Sequence, residues 1–127
     1  MAQPKKRVLV VDDNDDLRST VQMLLQADGF DVAVASDGRE ALIQHRAKPA
    51  DVVVTDLFMP DKDGIETILE LRRTYPGVKI VAMSGWTSTQ GSDYLRVARE
   101  IGAAATLTKP FDPAELSRVV RALATTT

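Results

Sequence analysis

Four carboxylates lie within five residues near the start of the chain, directly after an apolar run. They belong to the stretch Asp12-Asp13-Asn14-Asp15-Asp16. Gathered carboxylates would repel a phosphate group, whereas acidic oxygens are the ligands that Mg²⁺ prefers in proteins, with several waters retained. A solvated loop that caps a helix explains this stretch equally well when the stretch is considered alone.

Three further residues at the ends of apolar runs could carry chemistry. Asp56 follows a β-branched run, and a carboxylate held there, beside a divalent ion and a cation, can act as a nucleophile toward phosphorus. The hydroxyl of Ser84 could donate to a phosphoryl oxygen, and the ammonium of Lys109 could neutralise another. Together with the acidic stretch, these residues predict a site for phosphoryl transfer.

Composition excludes several other kinds of chemistry. The 127 residues contain no cysteine, which rules out disulfides, thiolate metal sites and thiol nucleophiles. Neither a Walker glycine loop nor a GxGxxG motif occurs, so we expect no direct mononucleotide binding. The net charge of −2 gives no general attraction to nucleic acid, and no apolar run approaches the roughly 20 residues that span a bilayer. We expect a soluble, cytoplasmic protein without nucleic-acid or membrane contacts.

Five short β-branched runs alternate with amphipathic segments along the chain. The runs cover residues 8–11, 32–34, 52–55, 78–83 and 105–108. This alternation predicts an α/β fold of five βα units, with a parallel sheet covered by helices on both faces. Ligands of such sheets bind beyond the carboxyl ends of the strands, where the strand order reverses. We therefore expect the four candidate groups to meet at that edge.

Helix boundaries are marked by residues with known end preferences. Asp37 is a typical N-cap, and so is Asp112, which precedes a proline at the first helical position. Gly29 and Gly102 stand where helices should end. The lone histidine, His45, lies in a short polar helix, where we expect a surface residue rather than a phosphocarrier.

From about Lys6 to Leu123 the chain resembles the receiver domain of bacterial two-component response regulators, the CheY-like fold. The matching stretches are Val8-Leu9-Val10-Val11-Asp12-Asp13, Thr55-Asp56-Leu57-Phe58-Met59-Pro60-Asp61-Lys62-Asp63-Gly64, Met83-Ser84-Gly85 and Leu107-Thr108-Lys109-Pro110-Phe111. The resemblance implies a flavodoxin-like, doubly wound sheet of five parallel strands. It also implies a single receiver domain over residues 1–127, with a core of about 6–123 and frayed ends.

The resemblance assigns a role to each candidate residue. Asp56 is implied to accept a phosphoryl group from a phosphohistidine on a partner histidine kinase or histidine phosphotransfer protein. Asp12, Asp13 and Asp56, with the backbone carbonyl of Phe58, are implied to hold Mg²⁺. These assignments make the chain a phosphoprotein in a phosphorelay.

The remaining implied roles concern phosphoryl contacts and output. Ser84 is implied to contact the phosphoryl group and Lys109 to pair with it, and the Lys109-Pro110 peptide is expected to be cis. Such receivers catalyse their own phosphorylation and dephosphorylation, yet act as switches rather than turnover enzymes. The fourth helix, fifth strand and fifth helix are implied to contact a downstream protein target.

Two departures from the family pattern concern the output side. Family members usually carry Tyr or Phe three residues before the lysine, where this chain has Thr106, so the usual inward swing of a ring cannot occur. The spacing from Ser84 to Lys109 is 25 residues, about three more than the family leads us to expect. We predict a mobile polar loop over Gly85–Ser92 and a fourth helix that starts near Ser92 or Asp93.

A third departure is the presence of Phe58 and Trp86 two residues after Asp56 and Ser84. Side chains at these positions flank the phosphorylation site in the family, and two large apolar groups could exclude attacking water. We hypothesise a long-lived acyl phosphate. The alternative is that Trp86 packs on the surface of its own loop.

Two alternative functions fit the sequence less well, and Phe58 argues strongly against the first of them. A phosphatase-like enzyme with an aspartate nucleophile would normally need a second Asp two residues after the first, where this chain has Phe58. A degenerate receiver that serves as a protein-binding scaffold is the second alternative. The intact Asp12, Asp13, Asp56 and Lys109 argue against it, while Thr106 leaves room for it.

Overall fold

The computed structural model of the chain describes residues 5–57, 64–85 and 89–125, with the side chains of 89–94 excepted. Strands and helices alternate in these ranges. The elements are β1 (Arg7–Val11), α1 (Asp15–Ala27), β2 (Asp31–Ala35), α2 (Gly38–Ala47), β3 (Val52–Asp56), α3 (Gly64–Thr74), β4 (Lys79–Gly85), α4 (Thr89–Glu100), β5 (Ala105–Lys109) and α5 (Pro113–Ala124). The five predicted βα units are confirmed.

The five strands form one parallel sheet in the order β2-β1-β3-β4-β5. The order reverses between β1 and β3, because the chain first extends the sheet to β2 and then extends it in the opposite direction. Val11 pairs with Thr55 across β1 and β3, and Gly85 pairs with Lys109 across β4 and β5. The doubly wound fold is thus confirmed, and the ends of β1 and β3 lie side by side at the reversal point.

The sheet separates two apolar layers, since successive strand side chains point to opposite faces. Leu9 and Val53 pack on the side covered by α2, α3 and α4, while Val8 and Val10 pack on the side covered by α1 and α5. All four side chains are at most 1% exposed. Burial on both faces explains why these strands are nearly continuous apolar runs in the sequence.

The capping residues predicted at the starts of α2 and α5, and the glycines predicted at the ends of α1 and α4, agree with the structure. The Asp37 carboxylate accepts the amide three residues on at 2.8 Å, and Asp112 accepts the amide two residues on at 2.9 Å. Gly29 has a φ of +95° and Gly102 a φ of +119°, backbone conformations that side chains other than glycine rarely adopt. Both glycines therefore end their helices as predicted.

The start of α4 differs from the prediction. The helix begins at Thr89 rather than near Ser92, so the expected loop loses its last four residues to the helix. Polar residues cost only about 0.7 kcal/mol or less each in a helix, and glycine about 1 kcal/mol. Burial of Leu95 and Ala98 farther along the helix offsets such a cost. The first residue of the predicted loop, Gly85, belongs to β4, and residues 86–88 lie outside the described ranges.

The expectation for His45 is wrong, because the side chain is only 1% exposed. Its ring packs edge-on against Tyr75, with 4.5 Å between the ring centroids. Nδ1 accepts a hydrogen bond from the amide of Ala50 at 3.0 Å, which offsets the cost of burying a polar ring. His45 lies on the same face of α2 as the buried Gly38 and Ala41.

The end of the last helix, α5, also differs from the prediction. The sequence predicts a frayed tail from Ala124, but Ala124 closes α5 and is 5% exposed within the apolar layer beneath α1 and α5.

In the described part of the chain, no helix is long and apolar enough to cross a membrane.

Candidate functional site

The carboxyl ends of four strands meet at one edge of the sheet. Asp12 follows β1, Asp56 ends β3, Ser84 is the last residue but one of β4, and Lys109 ends β5. Asp13 follows Asp12 in the loop that leads to α1. The structure therefore brings together the residues that the sequence predicts at this edge, as the parallel topology requires.

Asp12 is 1% exposed and each of its polar groups is engaged. Its amide donates to the carbonyl of Ala35 at 3.2 Å, and its carbonyl accepts from Nη1 of Arg18 at 2.9 Å. Its carboxylate accepts from the amide of Asn14 at 2.9 Å through Oδ1, and from Nζ of Lys109 at 2.8 Å through Oδ2. These contacts hold the carboxylate at the sheet edge.

The ammonium of Lys109 lies between two buried carboxylates. Its Nζ is 2.8 Å from Oδ2 of Asp12 and 3.4 Å from Oδ2 of Asp56. Asp56 is 6% exposed, and the lysine side chain is 22% exposed. Buried charges persist in proteins when they are paired, so Lys109 makes the burial of both aspartates tolerable.

Three carboxylates converge at this edge, and within the described residues the ammonium of Lys109 bridges two of them. Asp12, Asp13 and Asp56 each offer one oxygen, and these oxygens lie within 4.8 Å of one another. A divalent cation would add to the compensation that Lys109 provides among the described residues. Oxygen donors of this charge fit Mg²⁺, and the exposed Asp13 leaves the solvent side open for the waters that Mg²⁺ retains.

The hydroxyl of Ser84 is buried beside this cluster and is weakly held. It donates to the carbonyl of Gly85 at 3.3 Å, near the long limit for such a bond. Ser84 pairs in register with Thr108, one residue before Lys109. The hydroxyl can therefore be redirected at small cost to an oxygen that arrives at the strand ends.

A glycine packs directly onto the backbone of the candidate nucleophile. A Cβ at Gly64 would lie 2.3 Å from the carbonyl oxygen of Asp56 and 2.5 Å from Cα of Leu57. The Gly64 amide donates to the carbonyl of Leu57 at 3.0 Å. The start of α3 thus approaches the end of β3 as closely as a residue without a side chain allows.

Thr106, which stands where the family usually has an aromatic ring, lies on β5 opposite Ala82 of β4. Its Oγ1 accepts a hydrogen bond from Nη1 of Arg99 at 3.0 Å. Arg99 belongs to the last turn of α4, so this contact joins α4 to β5 at the departure from the family pattern.

Sequence reasoning missed two residues at this edge. Nothing in the pattern indicates that Arg18 reaches the carbonyl of a residue six positions earlier. Gly64 carried a signal, because a glycine that opens a helix costs stability unless a close approach requires it.

Two predicted neighbours of the site, Phe58 and Trp86, lie outside the described residues. The carbonyl of Phe58 as a metal ligand, and the exclusion of water by both rings, therefore stay predictions. The Lys109-Pro110 peptide is cis, as the resemblance implies.

Comparisons with known proteins agree with this arrangement. A family model described as the response regulator receiver domain matches residues 8–121. The transcriptional regulatory protein PhoP of Bacillus subtilis is 34% identical over 119 residues, covering 93% of this chain and 48% of that protein. CpxR of Klebsiella pneumoniae is 38% identical over 118 residues, covering 92% of this chain and 48% of that protein.

Solved structures show the same similarity. The receiver domain of NtrX from Brucella abortus superposes with a TM-score of 0.88 at 26% identity, covering 94% of this chain and 99% of that chain. The chemotaxis protein CheY4 of Vibrio cholerae gives a TM-score of 0.84 at 31% identity, with the same coverage.

The chain spans about half the length of the curated relatives it matches. Those relatives are named as regulators rather than as turnover enzymes, and some of their names describe transcriptional or DNA-binding proteins. The expectation that this chain makes no direct contact with nucleic acid therefore has no support from them.

Proposed function

The chain belongs to the response regulator receiver domain family, and on that premise we propose that it is the phosphoacceptor switch of a two-component phosphorelay. Asp56 takes a phosphoryl group from a phosphohistidine on a partner kinase or phosphotransfer protein. The observation that supports this best is the set of three carboxylate oxygens within 4.8 Å, two of them bridged by Lys109.

The transfer step needs placement and charge compensation more than acid–base chemistry. An oxygen of Asp56 attacks phosphorus, the phosphorus–nitrogen bond to the donor imidazole breaks, and its electron pair returns to the ring nitrogen. Lys109 is close enough to Asp56 to bind an oxygen of the incoming phosphoryl group. Ser84 can exchange its long bond to Gly85 for another phosphoryl oxygen.

Asp12, Asp13 and Asp56 would hold Mg²⁺, with the carbonyl of Phe58 as a further expected ligand. When bound, Mg²⁺ would neutralise charge on the phosphoryl oxygens and on the carboxylates. Asp12 keeps its position through its backbone contacts, so its Oδ2 can exchange Lys109 for a cation without movement of the loop. Lys109 is then available for the phosphoryl group.

Intact-mass spectrometry after incubation with acetyl phosphate and Mg²⁺ tests the phosphoacceptor role. We expect the mass of one added phosphoryl group on the parent and none on Asp56→Asn. Asp51→Asn is the matched control, because Asp51 also flanks β3 but lies at its opposite end. Labelling that persists in Asp56→Asn, or an unlabelled parent, would contradict the assignment.

The same experiment separates the two alternatives. A scaffold that has lost phosphorylation would leave the parent unlabelled while it still binds its partners. A phosphatase-like enzyme would release phosphate with repeated turnover, for which it needs a general acid where this chain has Phe58.

The output surface of the proposed switch comprises α4, β5 and α5. The bond from Arg99 to Thr106 joins two of these elements, so a rearrangement that moves β5 as far as Thr106 reaches α4. Hydrogen exchange of the phosphorylated parent should change most over residues 89–124, with Asp56→Asn as the control. Changes confined to α1 and α2 would place the output surface elsewhere.

Phe58 and Trp86 extend the proposal to the lifetime of the acyl phosphate. Large apolar groups beside the phosphoryl group would exclude the water that hydrolyses it. Phe58→Asn and Trp86→Glu should therefore lose phosphate faster than the parent after the donor is removed. Unchanged rates in both variants would reject this role.

A further inference from the structure

The guanidinium of Arg18 closes the loop between β1 and α1. Nη1 donates to the carbonyl of Asp12 at 2.9 Å, while Nη2 pairs with the carboxylate of Asp15. We propose, on the basis of the phosphoacceptor function, that Arg18 is a positioning residue for the metal site. It fixes the loop that carries Asp12 and Asp13, and thereby sets the affinity for Mg²⁺.

Side-chain burial shows which of the two Arg18 contacts constrains the loop. The Arg18 side chain is 18% exposed, whereas that of Asp15 is 84% exposed. A surface pair of this kind contributes little stability, about 0–1 kcal/mol. The shielded bond to the Asp12 carbonyl is therefore the one that constrains the loop.

Asp12 needs this constraint because it stands just beyond the strand. The register of β1 with its neighbours ends at Val11, so the carbonyl of Asp12 has left the regular ladder. Arg18 supplies a donor to that carbonyl, and the amide of Asp12 bonds to Ala35. With both backbone groups held, the carboxylate keeps one direction.

Asp13 depends on the same constraint for a different reason. It is exposed, so packing around its side chain cannot place its carboxylate. Its position follows from the backbone on either side, which is held by the Arg18 bond to Asp12 and by the Asn14 amide bond to the Asp12 carboxylate. Loosening this backbone moves a carboxylate that the cation needs.

The role is one of orientation rather than charge. Asp15 offsets the positive charge of Arg18, so the guanidinium adds little to the field at the metal site. Lysine would retain the charge but not the planar pair of donors that spans the two acceptors. Arg18→Lys should therefore lose most of the effect, which a purely electrostatic role would preserve.

Isothermal titration calorimetry with Mg²⁺ alone tests this inference on the parent, Arg18→Lys and Arg18→Gln. Removal of a group that orients a metal ligand typically weakens metal binding roughly 10–100-fold, and we expect about a tenfold rise in Kd for both variants. At saturating Mg²⁺, the maximal rate of phosphorylation by acetyl phosphate should return to within about twofold of the parent.

Arg72→Lys is the matched control. Nη1 of Arg72 also donates to backbone carbonyls, those of Pro76 at 2.7 Å and Val78 at 3.3 Å, but at the other end of the sheet. We expect a lower melting temperature for this variant and an unchanged Kd for Mg²⁺.

The outcomes separate this inference from the proposed function. A parent that binds Mg²⁺, with Arg18 variants that bind it equally well, would overturn the positioning role alone. A weaker Kd of the same size in Arg72→Lys would overturn it too, because general loosening would then explain the effect. A parent that binds no Mg²⁺ would overturn both.

Discussion

The two ends of the sheet both bury charged and polar side chains, yet they balance charge differently. Among the described residues at the carboxyl end, Asp12, Asp13 and Asp56 gather around the ammonium of Lys109. At the amino end, the carboxylates of Asp31 and Asp51 have partners within the described residues. The difference separates a group of carboxylates that could hold a metal ion from a network that serves the fold.

The amino end shows the matched arrangement. Nη1 of Arg7 is 3.1 Å from Oδ2 of Asp31, and the backbone amide of Arg7 donates to Asp51 at 2.8 Å. Lys48 is 3.6 Å from the same oxygen of Asp31. The Arg7 guanidinium beside Asp31 holds the pKa of that carboxyl below its ordinary value. Two cations thus face the carboxylate of Asp31, and a backbone amide holds that of Asp51.

The amino end also carries a concave surface. A cleft of about 690 Å³ lies at the amino end, beside Arg7 and Asp31. Arg7 and Lys48 of its lining are paired with Asp31, while the buried Nε of Arg7 has no hydrogen-bond partner within the described residues. The convergence of three carboxylate oxygens, rather than this cleft, marks the candidate site.

The largest expected effect comes from a methyl group added at the carboxyl end. Gly64→Ala places a Cβ 2.3 Å from the Asp56 carbonyl oxygen, so the backbone must move, at a cost of about 3 kcal/mol or more in unfolding free energy. Gly77→Ala is the control in the turn before β4, where a Cβ meets nothing within 4 Å. Urea unfolding should separate the two variants, and equal stabilities would contradict the close approach.

A smaller loss of unfolding free energy is expected from His45→Ala at the amino end. The variant loses the contact with Tyr75 and leaves the amide of Ala50 without its acceptor, which should cost about 2–3 kcal/mol in urea unfolding. Phosphorylation by acetyl phosphate should stay at the parent rate at a temperature where the variant is folded. Loss of that activity in a folded variant would mean that this end also serves the site.

Removing one carboxylate from each end should have opposite consequences when Mg²⁺ is absent. Asp13→Asn relieves repulsion among like charges and should raise the free energy of unfolding slightly, by up to about 0.5 kcal/mol for an exposed group. Asp31→Asn removes the partner of Arg7 and Lys48 and should lower it. Changes of the same sign, measured in chelator at one ionic strength, would contradict the contrast in charge balance.

The smallest expected effect is a change in how stability depends on pH. Burial, with a further contribution from the Arg7 charge, lowers the pKa of His45 below its ordinary 6.5. Below about pH 6.5, His45 therefore binds a proton more readily in the unfolded chain than in the folded chain. The free energy of unfolding keeps its full contribution from this group above about pH 6.5 and falls as the pH drops below it. His45→Gln should show a shallower fall in the urea midpoint between about pH 7.5 and 5.5. An equal slope would show that other groups dominate there.

Sequence reasoning reached the site because the chemistry follows the strand ends. β-branched runs define the strands, and parallel pairing brings Asp12, Asp56 and Lys109 to one edge without knowledge of any side-chain contact. It failed where tertiary packing decides. α4 starts early because burial later in the helix supports a polar first turn, which no local propensity predicts.

His45 and Arg18 show two different limits of prediction from the sequence. The burial of His45 had a signal, because Gly38 and Ala41 precede it on the same face of α2. The polar character of the helix concealed that signal. Arg18 had none, since its bond to Asp12 depends on the path of the loop between them.

The melting temperature with and without Mg²⁺, at matched ionic strength, tests most directly whether the carboxyl end needs an external cation. At about 100 times its Kd, a ligand that binds the folded state alone adds about 2.7 kcal/mol, so the parent should melt at least about 5 °C higher. Asp13→Asn should lose most of that gain, while Asp31→Asn keeps it. A parent whose melting temperature does not respond to Mg²⁺ would contradict the account.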